Sequence, residues 1–154
     1  MPLKIIHGDI TKVQCDAIVN AANSKLRGGG GVDRAIHNAA GQKLHEECMT
    51  IGGCKPGHSV ITNGYELPCK YIIHTVGPHW FNGKYGEHDL LVSCYRESLK
   101  LAKEHNCKTI AFPLISSGAY GYPKEQALEV AINEINVFLQ SNPEVIVYLV
   151  LYEA

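Results

Sequence analysis

The chain has almost no net charge: 14 Lys and Arg stand against 15 Asp and Glu, leaving −1 with His neutral. Such a balance implies no general attraction to nucleic acid or to an anionic membrane surface. Long apolar runs are missing too, and nothing approaches the ~18 residues that a membrane helix requires. The opening residues, MPLKIIHGDI, have neither the apolar region nor the cleavage site of a signal peptide. The six cysteines, at positions 15, 48, 54, 69, 94 and 107, form no C-x-x-C pair. Without an export signal they read as reduced, mostly buried thiols of a cytoplasmic protein. Cys48, Cys54 and His58 match no familiar zinc spacing, so no metal is expected. Two phosphate-binding motifs are also absent. There is no G-x-x-x-x-G-K-[ST], which excludes a P-loop nucleotide hydrolase, and GGGGVD lacks the third glycine of G-x-G-x-x-G.

What is present is an ordinary globular composition, 45% hydrophobic and 19% charged, in 154 residues, enough for one domain over residues 1–154. LKIIHGD begins as an edge-like strand, and Ala17 to Asn20 is a short buried strand. VDRAIHNAAG is a short helix stopped by Gly41, with Asp33 at its start as N-cap. QKLHEECMTI is a second helix, ended by Gly52 and Gly53, and HSVITNG and KYIIHTVGP are strands. A polar, Gly-rich loop lies between His79 and His88. The segment Asp89 to His105 then puts Leu91, Cys94, Tyr95, Leu99 and Ala102 on one helical face. KTIAFPLISSGAYGYP is a strand followed by a long turn. Lys124 to Gln140 is an amphipathic helix with Leu128, Ala131, Ile132, Ile135 and Leu139 at the 3.6-residue period, and VIVYLVL is a last apolar strand, buried on both faces. Strands alternating with helices define an α/β three-layer domain.

In such folds ligands sit where strands end and helices begin. Two loops fit, Asn20 to Asp33 and Ile115 to Tyr122. Both are rich in Gly and small polar residues, and both lead into helices. A glycine-rich loop before a helix offers backbone N–H groups with no side chain in the way, together with the positive end of the helix dipole. Two such loops suit a diphosphate held from both sides.

The stretches GDIT, DAIVNAAN, GGGGVD followed by AIH and AAG, HTVGP and ISSGAYGYP occur in that order. Together they resemble the macrodomain family, and within it the MacroD-type ADP-ribosyl hydrolases, from about Lys4 to Tyr152. The resemblance implies an α/β/α fold with a mixed, mostly parallel sheet between helices. It implies a cleft for ADP-ribose, and hydrolysis of ADP-ribose esters on acidic side chains of mono-ADP-ribosylated proteins and of O-acetyl-ADP-ribose, with no cofactor. The competing implication is a non-catalytic ADP-ribose-binding module. Nucleic acid and membranes are not expected partners.

Residue by residue, Asp9 resembles the acceptor for the adenine amine, with the Ile10 N–H beside it; an Asx-turn is its structural alternative. Asn23 resembles the residue that binds the distal ribose hydroxyls, since an amide offers donor and acceptor together. Asn20 is expected to brace the loop by hydrogen bonds to backbone. Asp33 resembles the catalytic carboxylate that positions water, with Asn23 beside it. Gly30, Gly31 and Val32 in one loop, and Ser116, Ser117, Gly118, Ala119 and Tyr120 in the other, match the segments that wrap the diphosphate, Tyr120 packing over the distal ribose. His37 reads as a helix-surface or core histidine. Two features depart from the family pattern. Arg34 stands where relatives often have Gly, and the chain stops at VLYEA where relatives commonly add a helix, so that one sheet face is expected to be less covered.

Overall fold

The structure, a computed structural model, describes residues 2–152; the expectation for the end of the chain falls on Glu153 and Ala154, which lie outside the described residues. Six strands form one sheet: β1 Leu3–Gly8, β2 Cys15–Ala21, β3 Ser59–Asn63, β4 Cys69–Thr75, β5 Thr109–Phe112 and β6 Ile146–Tyr152. Their order is β1-β6-β5-β2-β4-β3. Every neighbouring pair is parallel except β3 with β4. β1 is therefore an edge strand, as its sequence implies. The buried strand around Ala17 is longer than the apolar run alone marks, because Cys15 and Ala21 still pair with β4.

Four helices cover the two faces: α1 Gly31–Ala40, α2 Gln42–Ile51, α3 Glu87–Glu104 and α4 Lys124–Ser141. On one face Tyr95, Leu91 and Leu99 of α3 and Ile135 of α4 pack on Val19, Ile110, Phe112, Val147 and Leu149. On the other, Ile36 of α1 and Leu44 and Cys48 of α2 pack on Ile18 and Ile72. Truncating Ile36, which is fully buried, should cost about 2–5 kcal/mol. The layers are those expected of an α/β/α fold.

Three details differ from the sequence reading. α1 starts two residues before Asp33, with Gly30 at the cap position and no side-chain cap, so Asp33 lies inside the first turn and is not its N-cap. Gly31 has φ +58°, a left-handed conformation open to glycine, and this lets the chain turn into the helix early. α3 also starts two residues earlier than its apolar period, because Glu87 binds the preceding loop. The buried face of α4 is Ala127, Val130, Ala131, Ile135 and Leu139; Leu128 and Ile132 are only half-buried at the rim of the same core. Small Ala127 allows closer approach to the sheet than the larger Leu128.

Candidate functional site

The parallel strands β2, β4 and β5 all run toward one end of the sheet, and the loops that leave them there build the site. Alternation along β2 sends Ala17 and Val19 to the α3/α4 side and Ile18 to the α1/α2 side. Asn20 is two residues on from Ile18, on the α1 face, where it pairs in register with His74 of β4. Asn20 and His74 are fully buried. Asn20 Nδ2 donates to Asp33 Oδ1 at 2.8 Å and lies 3.1 Å from His74 Nδ1. An amide nitrogen only donates, so His74 Nδ1 accepts and its proton sits on Nε2. That proton goes to Thr62 Oγ1 at 3.0 Å, and Thr62 donates in turn to the Asn63 carbonyl at 3.2 Å. The chain of bonds fixes the amide so that its nitrogen faces the carboxylate. Burial, with His37 nearby, pushes His74 down to about 3, so it stays neutral.

The Asn20 expectation is therefore corrected. Its amide holds side chains and not backbone, because the β2 register puts it beside His74 and under α1. The backbone bracing falls to Asn23, whose Nδ2 donates to the Gly28 carbonyl at 3.1 Å while its Oδ1 accepts from Arg27 N–H at 3.3 Å.

Asp33 is 5% exposed. Burial raises its pKa above the usual carboxylate value; the hydrogen bond from Asn20, the charge of His37 and the Gly29 N–H oppose that rise. His37 is one turn along α1, with Nε2 3.4 Å from Asp33 Oδ1 but not aligned as a hydrogen bond. Burial lowers the His37 pKa; Asp33 opposes and His45 adds to it. The pair thus resists carrying opposite charges. His37 also supports the glycine loop from below. A Cβ on Gly28, whose φ is +73°, would touch the His37 ring at 3.4 Å. A Cβ on Gly29 would sit 3.4 Å from Asp33 Oδ2 and 3.5 Å from Asn23 Nδ2. Asp33 and Asn23 therefore flank Gly29, as a shared site requires. Among the described residues other than its chain neighbours, nothing lies within 4 Å of a Cβ on Gly30. Among the described residues, the N–H groups of Gly30, Gly31 and Val32 have no acceptor in the protein.

The second loop, after β5, carries a similar set. Ser116 has φ +65° and its buried Oγ has no partner. The Ser116 carbonyl accepts from Tyr122 N–H at 2.9 Å and the Gly118 carbonyl from Gly121 N–H at 3.0 Å. Ser117 Oγ donates to the Leu114 carbonyl at 2.8 Å. The N–H groups of Gly118, Ala119 and Tyr120 are unpaired among the described residues. Asp9 caps the 3₁₀ turn Ile10–Lys12, accepting from Thr11 N–H at 2.9 Å and Thr11 Oγ1 at 2.7 Å, so the Asx-turn geometry is present. Ile10 is buried beside it.

A third loop was not singled out in the sequence. The stretch between His79 and His88 reads as a polar, Gly-rich loop, yet the His79 ring stacks on Tyr120 at 3.7 Å and 28°. Trp80 N–H donates to the Tyr120 carbonyl at 2.8 Å. Four backbone N–H groups, of Phe81, Asn82, Gly83 and Tyr85, donate to the Glu87 carboxylate at 2.7–3.3 Å. Although burial acts the other way, these bonds hold Glu87 down at about 2. Four aromatic rings within seven residues, His79 to Tyr85, are the signal that distinguishes this loop from a spacer.

The donor atoms of His37, Cys48 and His74 lie within 4.8 Å of one another, a different set from the Cys48, Cys54 and His58 considered in the sequence. The His74 Nδ1 lone pair already accepts from Asn20, and burial pushes the Cys48 thiol up to about 11, so neither offers a ready ligand atom. All six cysteines are free, three buried and three half-buried. No described helix is long and apolar enough to cross a membrane.

This geometry defines a class: an α/β/α domain with two amide-lined loops and a buried carboxylate at the carboxyl ends of its strands. The Macro domain family model matches residues 19–131, and the chain belongs to that family. It is 59% identical over 152 residues to a macro domain-containing protein of Methanosarcina mazei, covering 97% of this chain and 81% of that one. It is 53% identical over 157 residues to the O-acetyl-ADP-ribose deacetylase of Citrobacter rodentium, covering 98% and 88%. A mutant Oceanobacillus iheyensis macrodomain solved with ADPR superposes with a TM-score of 0.91 at 44% identity, covering 97% and 84%.

Proposed function

We propose that this chain binds ADP-ribose and is a hydrolase of its esters, deacetylating O-acetyl-ADP-ribose and removing mono-ADP-ribose from acidic side chains of proteins. The name of the Citrobacter rodentium relative and the ADPR of the Oceanobacillus iheyensis relative support the two halves of this reading. Asp9 and the Ile10 N–H receive the adenine. The diphosphate lies between the N–H groups of Gly30, Gly31 and Val32 and the loop Ser116, Ser117, Gly118, Ala119 and Tyr120, whose unpaired amides gain an acceptor while the Ser117 N–H stays on the Leu114 carbonyl at 3.4 Å. Tyr120 packs over the distal ribose, and Asn23 turns from the Gly28 carbonyl to its hydroxyls.

Asp33 acts as acceptor for water. The carboxylate takes a proton as the water oxygen bonds to the ester carbonyl carbon; the ester C–O bond then breaks, and the ribose oxygen takes up a proton as ADP-ribose leaves. Burial raises the basicity of Asp33 and so suits it to this step, while Asn20 holds the carboxylate in place. The observation that carries hydrolysis over simple binding is this buried carboxylate beside Gly29 and Asn23, held by a line of hydrogen bonds through Asn20, His74 and Thr62. A binding module gains nothing from burying a charge at the end of its cleft. The test incubates the protein with O-acetyl-ADP-ribose and, separately, with a glutamate-ADP-ribosylated protein. Release of acetate and of ADP-ribose is expected. Tight ADP-ribose binding with no release from either substrate would leave a binding module.

A further inference from the structure

Past Tyr120 and Ser24 the cleft continues into a pocket of about 230 Å³ that the hydrolysis described above does not use. Its walls include Ser24, Pro56, His79, Phe81, Tyr85 and Tyr120. Ser24 directly follows Asn23, and Tyr120 feels the charge of Asp33, which helps raise its pKa after burial. The pocket therefore opens beside the end of the cleft where the ester bond would lie. Phe81 is 75% exposed and Tyr85 71%, and their rings meet edge to face at 5.9 Å. Two large exposed rings on a short loop are costly to leave bare unless something covers them. The loop is not slack, since Glu87 ties it down through four amide N–H groups.

Charge defines what would cover it. Lys25, Lys55 and Lys84 are exposed, and each is the sequence neighbour of a pocket residue: Ser24, Pro56 and Tyr85. The Cys54 N–H donates to the Ser24 carbonyl at 2.9 Å, which holds the first two of these segments together. None of the three lysines makes an ion pair among the described residues. The carboxylate in the wall, Glu87, is occupied by the loop amides; Asp89, in the first turn of α3, is the nearby exposed acid. Three exposed lysines without an ion pair among the described residues thus lie next in sequence to the walls of a pocket that holds an aromatic pair.

We propose that this pocket docks the polypeptide segment flanking the modified side chain: an acidic stretch of the substrate protein, with an apolar residue seated between Phe81 and Tyr85 and its carboxylates toward Lys25, Lys55 and Lys84. This rests on the reading that the chain acts on ADP-ribosylated proteins. It implies that the protein distinguishes a modified acidic peptide from O-acetyl-ADP-ribose, which has no chain to dock.

The test uses a fluorescent synthetic peptide carrying ADP-ribose on one glutamate, flanked by aspartates and one leucine. Binding is followed by anisotropy in an Asp33→Asn background that slows turnover, with free ADP-ribose measured in parallel by calorimetry. The modified peptide should bind at least tenfold tighter than ADP-ribose. Phe81→Ala/Tyr85→Ala should remove that surplus and change ADP-ribose affinity less than twofold. Lys55→Glu/Lys84→Glu should remove the salt dependence of peptide binding. Both rings are mostly exposed, so melting should be unchanged in the ring variant. Equal affinity for peptide and ADP-ribose, or a surplus that survives the ring substitutions, overturns the docking site. Equal losses for both ligands would make the rings part of the ADP-ribose cleft and overturn it as well. Failure of ADP-ribose itself to bind would sink the function proposed above, and is seen separately in the calorimetry.

Discussion

Replacing Asn20 with Ala tests the buried carboxylate through its partner. Asn20 Nδ2 donates to Asp33 Oδ1 at 2.8 Å, both groups being buried. A hydrogen bond to a charged group contributes about 1.5–3 kcal/mol, which at 1.36 kcal/mol per pH unit is roughly one to two units of pH. Asn20 opposes the rise that burial imposes on Asp33, so its loss moves the proton equilibrium further toward the neutral acid. Only the carboxylate accepts a proton from water. The acid limb of single-turnover hydrolysis should therefore shift to higher pH by roughly one to two units in Asn20→Ala, and the plateau above it should fall less than the rate at neutral pH. Stability should fall too, by about 1–3 kcal/mol, because His74 Nδ1 loses its donor in a buried place. The assay is ADP-ribose release from a modified glutamate across a pH series, with thermal melting alongside. An acid limb that stays put, or moves to lower pH, would refute the idea that this amide sets the carboxylate. A rate lowered equally at every pH would reduce Asn20 to a packing residue.

Three further outcomes follow from the same geometry. Gly30→Glu should weaken ADP-ribose binding at least tenfold, about 1.4 kcal/mol, by calorimetry, with little change in melting because its Cβ meets open space. Glu87 has a lowered pKa, so its contribution is complete above the ordinary glutamate value and lost as pH falls toward about 2. The fluorescence of Trp80, the one tryptophan and packed against Gly83, should change within that window in wild type and be pH-independent there in Glu87→Gln. Hydrolysis should survive EDTA, since His74 and Cys48 are engaged as a neutral acceptor and a protonated thiol; activity lost to EDTA and restored by zinc would reverse this.

Much of the fold was legible because apolar spacing reports burial. The α3 face Leu91, Cys94, Tyr95, Leu99 and Ala102 is buried as its period implies. The start of α1 was misread because the capping rule favours Asp over Gly, whereas Gly31 at positive φ begins the helix and carries Asp33 inward. The pairing of Asn20 with His74 depends on the register of strands 54 residues apart, which no local pattern encodes. The Glu87 clamp was hidden for a related reason: its partners are backbone amides, which have no sequence signature. The two glycine loops stand out in the sequence as candidate sites because closely spaced Gly residues suit neither a helix interior nor a strand.

The most direct measurement compares wild type with Asp33→Asn in single-turnover release of ADP-ribose from a glutamate-modified protein, with ADP-ribose affinity and melting followed in parallel. The amide keeps the shape and can still accept from Asn20, but it cannot take a proton from water. Turnover should fall by roughly 10²-fold or more, while ADP-ribose affinity changes little. The raised folded-state pKa of Asp33 means that its stability contribution is present below the unfolded value and lost as pH rises through the folded one. Asp33→Asn should therefore melt no lower than wild type at neutral pH, and its relative advantage should shrink in acid. A variant that turns over as fast as wild type would contradict the assignment of Asp33 as the group that activates water.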